Sequence, residues 1–273
     1  MFITFLNEWS CIMWVERLAR FGYATKGAVY GLIGLLAVMA AFGNSNGKTT
    51  DINGAFRTIA AQPFGQILLI LVAVGLVGYV IWRFVEAIKD PENKGTDAKG
   101  IAKRLGYILS GLIYASLAFN AALLAIGSSI GGGNSQQTWT ARVLSQPFGQ
   151  WLVGTLGLLI MGLGLYFIYQ AYQTKFQKKL NLAELDYKQE KLIINVCRFG
   201  IAARGVIFMM LGFFLIQAAR QFDPSQVEGL EGALQTLAQQ PYGKILLAIV
   251  ALGLVAYGIY MIVQARYCQF KTT

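Results

Sequence analysis

The sequence has no histidine in 273 residues and few charged side chains. Because imidazole is a frequent metal ligand and the commonest general base, its absence excludes the most familiar metal, haem and acid–base sites. Charged residues make up 13% of the chain, whereas a soluble domain usually carries about 25%. The chain therefore lacks the polar surface that a water-soluble fold requires.

Cysteines and catalytic motifs are also scarce. Cys11, Cys197 and Cys268 are far apart in the sequence, which argues against a disulfide framework. The sequence contains no phosphate-binding loop and no G-x-S-x-G turn. No apolar segment carries a carboxylate in its middle, since Glu86 stands at the end of its segment. We therefore predict that the protein is not an enzyme and carries no cofactor.

Long apolar runs dominate the chain, which is 56% hydrophobic. A transmembrane helix needs roughly 20 predominantly apolar residues. Five segments meet this requirement, and a sixth, 199–219, is apolar except for Arg204. The five segments are 21–43, 64–85, 105–127, 148–170 and 242–265. The sequence thus predicts an integral membrane protein with six transmembrane helices.

A glutamine-proline-aromatic-glycine motif occurs three times in the sequence. The copies are Gln62-Pro63-Phe64-Gly65, Gln146-Pro147-Phe148-Gly149 and Gln240-Pro241-Tyr242-Gly243. The residue numbers put each glutamine 42 positions after an arginine, namely Arg20, Arg104 and Arg198. A match at constant spacing without gaps indicates internal structural repeats.

Each repeat reads as an apolar helix, a polar loop and a second apolar helix. Because each unit crosses the membrane twice, all three repeats have the same orientation and are related by an axis along the membrane normal. The predicted fold is therefore all-α, a pseudo-threefold bundle of three parallel two-helix repeats. We expect an N-terminal lead-in at 1–13, repeat 1 at 14–90, repeat 2 at 91–175, a basic linker at 176–191 and repeat 3 at 192–273.

The loops before the first and third motifs have apolar residues at helical spacing. These residues are Ile52, Ala55, Phe56, Ile59 and Ala60 in the first loop, and Val227, Leu230, Leu234, Leu237 and Ala238 in the third. The spacing predicts short amphipathic helices in the outer loops, with their apolar side toward the membrane. Two alternatives are a lid over a cavity and a docking face for another membrane protein.

The motif itself suits the start of a helix. Proline fits the first helical turn, where its missing N–H is not needed, and the aromatic ring would then lie at the membrane interface. We therefore interpret the motif as structural. The functional alternative is that Gln62, Gln146 and Gln240 converge on an axial site.

Basic residues are distributed unevenly about the predicted spans. Eighteen of the 23 Lys and Arg residues fall on the side of the termini and the two linkers, and five fall on the other side. Because cytoplasmic loops carry an excess of Lys and Arg, we predict that both termini are cytoplasmic. We interpret the net charge of +10 as a preference for anionic lipid headgroups at the linkers, with a membrane protein as a possible partner and no nucleic acid.

Lys26, Ser110 and Arg204 occupy one position in the three repeats, six residues after the boundary arginine and about 9 Å along the helix. An ionisable residue inside a span is a functional candidate. Long basic side chains near a helix end can instead extend to the headgroups. We expect this second arrangement. The alternative is an anion or lipid-headgroup site between the repeats, formed by Lys26, Ser110 and Arg204.

A longer pattern, G-A-x-x-T-x-A-x-Q-P-[FY]-G, precedes and includes the motif. It is well kept in 54–60 and 232–238, whereas 138–144 in the middle repeat departs from it. Over residues 14–270 the chain resembles the bacterial membrane family catalogued as domain of unknown function 1206, which is built of three two-helix repeats. The resemblance implies the six-helix fold and the bacterial inner membrane, and it implies no activity.

These observations leave three hypotheses for function. We predict a non-catalytic scaffold, assembly or regulatory component of the membrane. The alternative is a channel or facilitator for a small solute or anion, and a weaker one is a pigment- or quinone-binding protein. The bundle axis distinguishes the first two. A passage lined by polar side chains such as Ser110, Asn120, Lys26 or Arg204 favours transport, and an axis filled with Leu, Ile and Phe favours a scaffold.

Overall fold

The computed structural model describes residues 2–43, 47–91, 95, 97–128, 135–174, 176–177, 180–181 and 186–268. These residues form nine α-helices and one short 3-10 helix, Pro224–Gln226. The α-helices are α1 (Phe2–Ala41), α2 (Ile52–Ala60), α3 (Gly65–Lys89), α4 (Ala98–Ala125), α5 (Ser135–Leu144), α6 (Gly149–Tyr172), α7 (Tyr187–Gln221), α8 (Leu230–Gln239) and α9 (Gly243–Tyr267).

Six helices of the described chain, two per repeat, are long and apolar enough to cross a membrane: α1, α3, α4, α6, α7 and α9. The shortest candidate span, α6, has 24 residues and would reach about 36 Å at the helical rise, which exceeds a hydrocarbon core of about 30 Å. The predicted fold class is confirmed. Two long helices extend beyond their spans: α1 begins at Phe2, within the predicted lead-in 1–13, and α7 begins at Tyr187, within the predicted linker 176–191.

Neighbouring repeats pack through the second long helix of one and the first long helix of the next. The pairs are α3 with α4, α6 with α7, and α9 with α1, so repeat 3 closes onto repeat 1. Glycines bring the backbones close at equivalent crossings. A Cβ on Gly27 would lie 2.6 Å from the carbonyl oxygen of Gly258, and one on Gly164 would lie 2.7 Å from that of Gly205. The repeated crossing gives the bundle its pseudo-threefold form.

The boundary arginine of each repeat binds the end of the preceding repeat's second helix. The last carbonyls of a helix have no partner within the helix and carry partial negative charge, so a cation there is stabilising. The equivalent bonds run from Arg20 Nη1 to Ala265 O (2.8 Å), from Arg104 Nε to Ala87 O (2.6 Å) and from Arg198 Nε to Ala171 O (3.1 Å). These hydrogen bonds connect each repeat to the preceding one on the linker side of the bundle.

The glutamine-proline-aromatic-glycine motif forms a tight turn before each second helix. In repeat 1 the Gly65 N–H donates to the Gln62 carbonyl at 2.9 Å, and Phe64 has a φ of 62°, as the third residue of a type II turn does. Phe148 and Tyr242 adopt the same left-handed conformation. The expectation that proline lies in the first helical turn is therefore wrong in detail, because the aromatic residue is the N-cap and proline precedes it.

The short loop helices predicted for repeats 1 and 3 are confirmed as α2 and α8, and repeat 2 has a third, α5. In α2, Asp51 caps the first turn by accepting the Gly54 N–H at 2.8 Å. Phe56 is fully buried, and α2 packs on α1, α3 and α4. In α8, Leu234 is buried in the same way. The apolar faces of α2 and α8 therefore pack on the bundle on its loop side, and the expectation that they lie toward the membrane is wrong.

Repeats 1 and 3 differ from repeat 2 in how their own two long helices meet. In the described chain α1 packs along α3 and α7 packs along α9, whereas α4 and α6 make at most a marginal contact. Three glycines at equivalent repeat positions show this difference in how closely a neighbouring helix approaches them. A Cβ on Gly22 would lie 2.5 Å from the backbone nitrogen of Tyr79, and one on Gly200 would clash with that of Tyr257, but one on Gly106 would meet nothing within 4 Å. Repeat 2 is an open hairpin.

The linker between repeats 2 and 3 contacts the end of α9. The Asn181 N–H donates to the Tyr267 carbonyl at 2.9 Å, and the buried Phe176 ring packs against the Tyr260 ring with centroids 5.6 Å apart. Several basic residues that were counted for the topology lie outside the described residues, namely Lys94, Lys175, Lys178, Lys179 and Lys271.

Candidate functional site

Lys26 points into the bundle and not toward the headgroups. Its exposed fraction is 3%, and its Nζ donates to the Tyr79 hydroxyl at 3.1 Å. The ammonium also lies 4.5 Å from the ring centroid of Tyr79 and 4.3 Å from that of Tyr114. Such contacts with aromatic faces stabilise a cation, and more so when it is removed from water. The expected extension of Lys26 to the headgroups is therefore wrong.

Arg204 also faces the bundle interior, so the same expectation is wrong there. Its guanidinium carbon lies 4.6 Å from the ring centroid of Tyr257 and 5.1 Å from that of Phe167. Its Nε is buried without a hydrogen-bond partner. Neither Arg204 nor Lys26 forms an ion pair with a carboxylate in the described part of the chain.

A third cation, Arg83, belongs to the same interior cluster. Its guanidinium forms an ion pair with Glu86 at 2.7 Å and donates to the Tyr23 hydroxyl at 2.6 Å. The side chains of Arg83 and Glu86 are 14% and 6% exposed. The Nε of Arg83 has no hydrogen-bond partner, so one donor of this group is unused. Breaking such a buried pair is costly because the remaining charge stays uncompensated.

These side chains surround a cavity of about 340 Å³, which we call the basic cavity. Its charged lining residues are Lys26, Arg83, Arg204 and Glu86. The lining thus holds three cationic groups and one carboxylate, a net charge of +2 when all are ionised. Hydroxyl and amide groups of Ser110, Tyr107, Gln170 and Gln264 also line the cavity. The arrangement offers several donors to an anion of modest size.

Residues at equivalent positions of the three repeats line the basic cavity. Lys26, Ser110 and Arg204 occupy one repeat position, and all three line the cavity. A second position, 24 residues after the motif glutamine, contributes Glu86, Gln170 and Gln264. Side chains at equivalent positions of three parallel repeats meet at their common axis. The cavity therefore lies on the pseudo-threefold axis, near the linker-side ends of α3, α6 and α9.

The motif glutamines are not part of this site. Gln62, Gln146 and Gln240 are all exposed, and none of them lines the basic cavity. The alternative that their amides converge on an axial site is therefore wrong. Asn120 donates to the Asn53 side-chain oxygen at 3.1 Å and does not line the basic cavity either.

A second cavity, of about 680 Å³, lies toward the loop side, and we call it the apolar cavity. Its walls include Ile113 and Leu117 of α4, Ile160 of α6, and Ile207 and Leu211 of α7. Trp139 of α5 and Leu230 of α8 cover it on the loop side, where polar residues also line it, namely Asp51, Asn53, Thr140 and Glu228. Arg204 lines both cavities.

The described residues contain no group of three or more Cys, Asp or Glu placed to share a metal ion, and the chain has no His. A family profile described as Domain of Unknown Function (DUF1206) matches three times, over residues 21–90, 105–173 and 199–268. The chain belongs to the DUF1206 family. "Uncharacterized protein YxxB" of Bacillus subtilis (strain 168) is 40% identical over 254 residues, which cover 93% of this chain and 91% of that relative. No solved structure matches the chain.

The three DUF1206 matches confirm the repeat and the resemblance stated from sequence. Each matched range begins directly after a boundary arginine, at residue 21, 105 or 199. Each DUF1206 unit is therefore one two-helix hairpin, and its two helices carry the positions that line the basic cavity. The chain is accordingly a multi-pass membrane protein of a bacterial family.

Sequence reasoning missed Arg83, Glu86 and the tyrosines around the three cations. Arg83 was counted among the basic residues near a membrane boundary, and Glu86 was placed at the end of its span. Comparison of the repeats would have shown that Arg83 replaces an apolar residue, since Phe167 and Met261 occupy its position in the other repeats. A cation where two repeats have apolar side chains indicates a special environment.

Proposed function

We propose that this DUF1206 protein binds a small anion in the basic cavity and acts as a facilitator for that anion in the membrane. The observation that carries the proposal is the excess of cations: Lys26, Arg83 and Arg204 share about 340 Å³ with Glu86 alone. Buried charges of like sign destabilise one another, and a bound anion would relieve this. Ionisable residues inside a span commonly mark ion pathways.

The bundle axis supports this proposal over a scaffold. An axis filled with Leu, Ile and Phe would suit a purely structural component, whereas the linker-side part of this axis is lined by charged and hydroxyl-bearing side chains. No candidate catalytic pair emerges among the cavity residues, so we propose binding and transfer of the anion rather than its chemical conversion. Partners at the linkers would be anionic lipid headgroups.

Binding of small anions to the purified protein tests the proposal. The protein in phosphatidylcholine nanodiscs would be titrated calorimetrically with inorganic phosphate, sulfate and acetate. We expect at least one of these probes to bind, and to bind at least tenfold more weakly to Lys26→Met and Arg204→Met, because each variant removes one buried cation. Lys103→Met is the matched control, since Lys103 is exposed on the linker side.

Two readouts keep this test decisive. Gel filtration and helical circular dichroism check that each variant keeps its fold, and Lys26→Arg should retain binding because the charge remains. Equal binding to the folded wild type, Lys26→Met and Arg204→Met would overturn the proposal. Absence of binding by all three probes would count against it as well.

Topology is a separate part of the proposal. We propose that the linker side, and with it the basic cavity, faces the cytoplasm. Reporter fusions at residue 273 should be active only as cytoplasmic reporters, and fusions at 45, 130 and 223 only as periplasmic ones. The reverse pattern would place the basic cavity toward the outside.

A further inference from the structure

Arg204 joins two cavities of different chemistry. On its linker side is the basic cavity with Lys26 and Arg83, and on its loop side is the apolar cavity. The two volumes, about 340 and about 680 Å³, are both in the range of small-molecule sites. A ligand bound at Arg204 can therefore extend toward a polar or toward an apolar neighbour.

The apolar cavity lies between two helices that do not close on each other. Ile113 of α4 and Ile160 of α6 both line it, and these helices make at most a marginal contact in the described chain. Ile113 is 59% exposed although it lines the cavity, so this wall is open on its outer side, and Gly106 and Gly162 face open space in the linker-side part of the same gap. In a membrane, an opening between two spanning helices borders acyl chains. The apolar cavity is thus accessible from the lipid.

The wall of this cavity suits a hydrocarbon chain. Six aliphatic side chains of α4, α6 and α7 line it between the spanning helices, and Ile52, Val227, Leu230 and Leu254 add further apolar surface. A small inorganic anion has little to bind in this volume beyond Arg204, because the aliphatic side chains offer it no hydrogen bonds and the carboxylates of Asp51 and Glu228 would repel it. An apolar chain would bury its surface there.

We infer that the anion bound by this protein carries an apolar chain, with its charged head at Lys26 and Arg204 and its chain in the apolar cavity. This inference rests on the proposed function and specifies its ligand class: an amphiphilic carboxylate or phosphate that enters between α4 and α6. The head lies toward the linker side and the chain toward the loop side. Arg204 holds the junction between them.

Matched probes separate the head from the chain. The protein in phosphatidylcholine nanodiscs, with empty nanodiscs as background, would be titrated with dodecanoate, dodecanol and acetate, and with dodecyl phosphate and inorganic phosphate. We expect the dodecyl anions to bind at least tenfold more tightly than acetate and inorganic phosphate, and more tightly than dodecanol. The carboxylate and phosphate arms distinguish the two possible head groups.

Two substitutions on α4 test where the chain lies. Ile113→Trp places a large ring in the apolar cavity and should weaken dodecanoate binding at least fivefold without changing acetate binding. Leu112→Trp is the control, because Leu112 is 56% exposed and does not line the cavity, while Ile113 is 59% exposed and does. Quenching of Trp139 fluorescence by 11-bromoundecanoate, assigned by its loss in Trp139→Phe, should report the end of the chain near the loop side.

The outcomes distinguish this inference from the proposed function. In one outcome acetate or phosphate binds as tightly as its dodecyl counterpart, and Arg204→Met abolishes the binding of both. The proposed anion site is then supported, and the inference that the ligand carries an apolar chain is refuted. If dodecanol binds as tightly as dodecanoate and Arg204→Met changes neither, both are refuted and the cavity takes neutral lipids. Equal loss of dodecanoate binding in Ile113→Trp and Leu112→Trp would also overturn the assignment of the chain to this cavity.

Discussion

Repeat 2 differs from repeats 1 and 3 in both packing and chemistry. The hairpins of repeats 1 and 3 are closed by contacts at Gly22 and Gly200, whereas the equivalent Gly106 touches nothing. Repeat 2 also has Ser110 where its neighbours have Lys26 and Arg204. The open hairpin is therefore also the repeat without a cation at that position.

This difference shows that a ring of repeats can hold together although one of its hairpins is open. The bundle is held by contacts between repeats, through α3 with α4, α6 with α7 and α9 with α1. Each of these joints also has a boundary arginine bound to the preceding helix end. One hairpin can therefore open without breaking the ring. Repeats 1 and 3 can then supply the cations, while repeat 2 supplies the access.

The difference between the repeats is tested first at the position of Glu86, where repeat 1 is made to resemble repeats 2 and 3. Glu86→Gln introduces the residue found there as Gln170 and Gln264. We expect a loss of about 3–5 kcal/mol in the free energy of unfolding, because Arg83 keeps its buried charge and loses its partner. Equilibrium unfolding of the protein in mild detergent would measure this loss.

A double variant provides the control for that experiment. Arg83→Met with Glu86→Gln copies the pair Met261 and Gln264 of repeat 3 and leaves no unpaired charge at this position. We expect most of the lost stability to return, since removing both partners of a buried pair is often neutral. Equal destabilisation by the single and double variants would show that the ion pair is not the cause.

The difference between the repeats is tested next by replacing the equivalent glycines of repeats 1 and 2 with alanine. Gly22→Ala should destabilise the protein by about 1–3 kcal/mol, because its Cβ would lie 2.5 Å from the Tyr79 nitrogen and 2.8 Å from the Gly75 oxygen. Gly106→Ala should be neutral, or stabilise by up to about 1 kcal/mol, because alanine favours helix and the position is open. Thermal unfolding of the two variants side by side measures the contrast.

Matching losses in Gly22→Ala and Gly106→Ala would mean that repeat 2 closes in the membrane. The open hairpin would then be a minor state, and the route into the apolar cavity would be shut most of the time. Gly200→Ala in repeat 3 is a second reference for a closed hairpin, since its Cβ would clash with the Tyr257 backbone.

Features of the fold that depend on local sequence were predictable. The six spans follow from the lengths of apolar runs, and the short helices of repeats 1 and 3 follow from the spacing in 52–60 and 227–238. The openness of repeat 2 was not predictable, because Gly106 and Gly22 are the same residue at the same repeat position. Only packing between α4 and α6 distinguishes them.

Three members of the site were predictable from the sequence, but the direction in which their side chains point was not. Repeat alignment brought Lys26, Ser110 and Arg204 together, and all three line the basic cavity. A long basic side chain at that depth can reach either the headgroups or the axis. What decides is the pair of rings around Lys26, from Tyr79 on α3 and Tyr114 on α4, and spacing along α1 carries no information about them.

The smallest effect is expected in the outer loops, where repeat 3 carries a carboxylate and the other repeats carry amides. Glu231 occupies the position of Asn53 and Gln137. Partial burial, together with the charge of nearby Asp51, raises the pKa of the Glu231 carboxyl above its usual range. Ionisation is thus less favourable in the folded than in the unfolded chain, so the charged form destabilises the fold. Glu231→Gln should give a slightly higher melting temperature than the wild type at pH 7.

The pH dependence of this difference tests its cause. The advantage of Glu231→Gln should vanish below the ordinary pKa of glutamate, about 4.3, because the wild-type carboxyl is then protonated in both states. Asp223 in the same loops is the control of opposite sign, since hydrogen bonds from the Ser225 hydroxyl and backbone and from Gln226 lower its pKa. Asp223→Asn should therefore lower the melting temperature at pH 7, and the loss should shrink as the pH falls. Melting curves of both variants and the wild type at pH 7 and pH 4 measure these differences. If the melting temperature of Glu231→Gln exceeds that of the wild type by the same amount at both pH values, packing rather than charge is the cause.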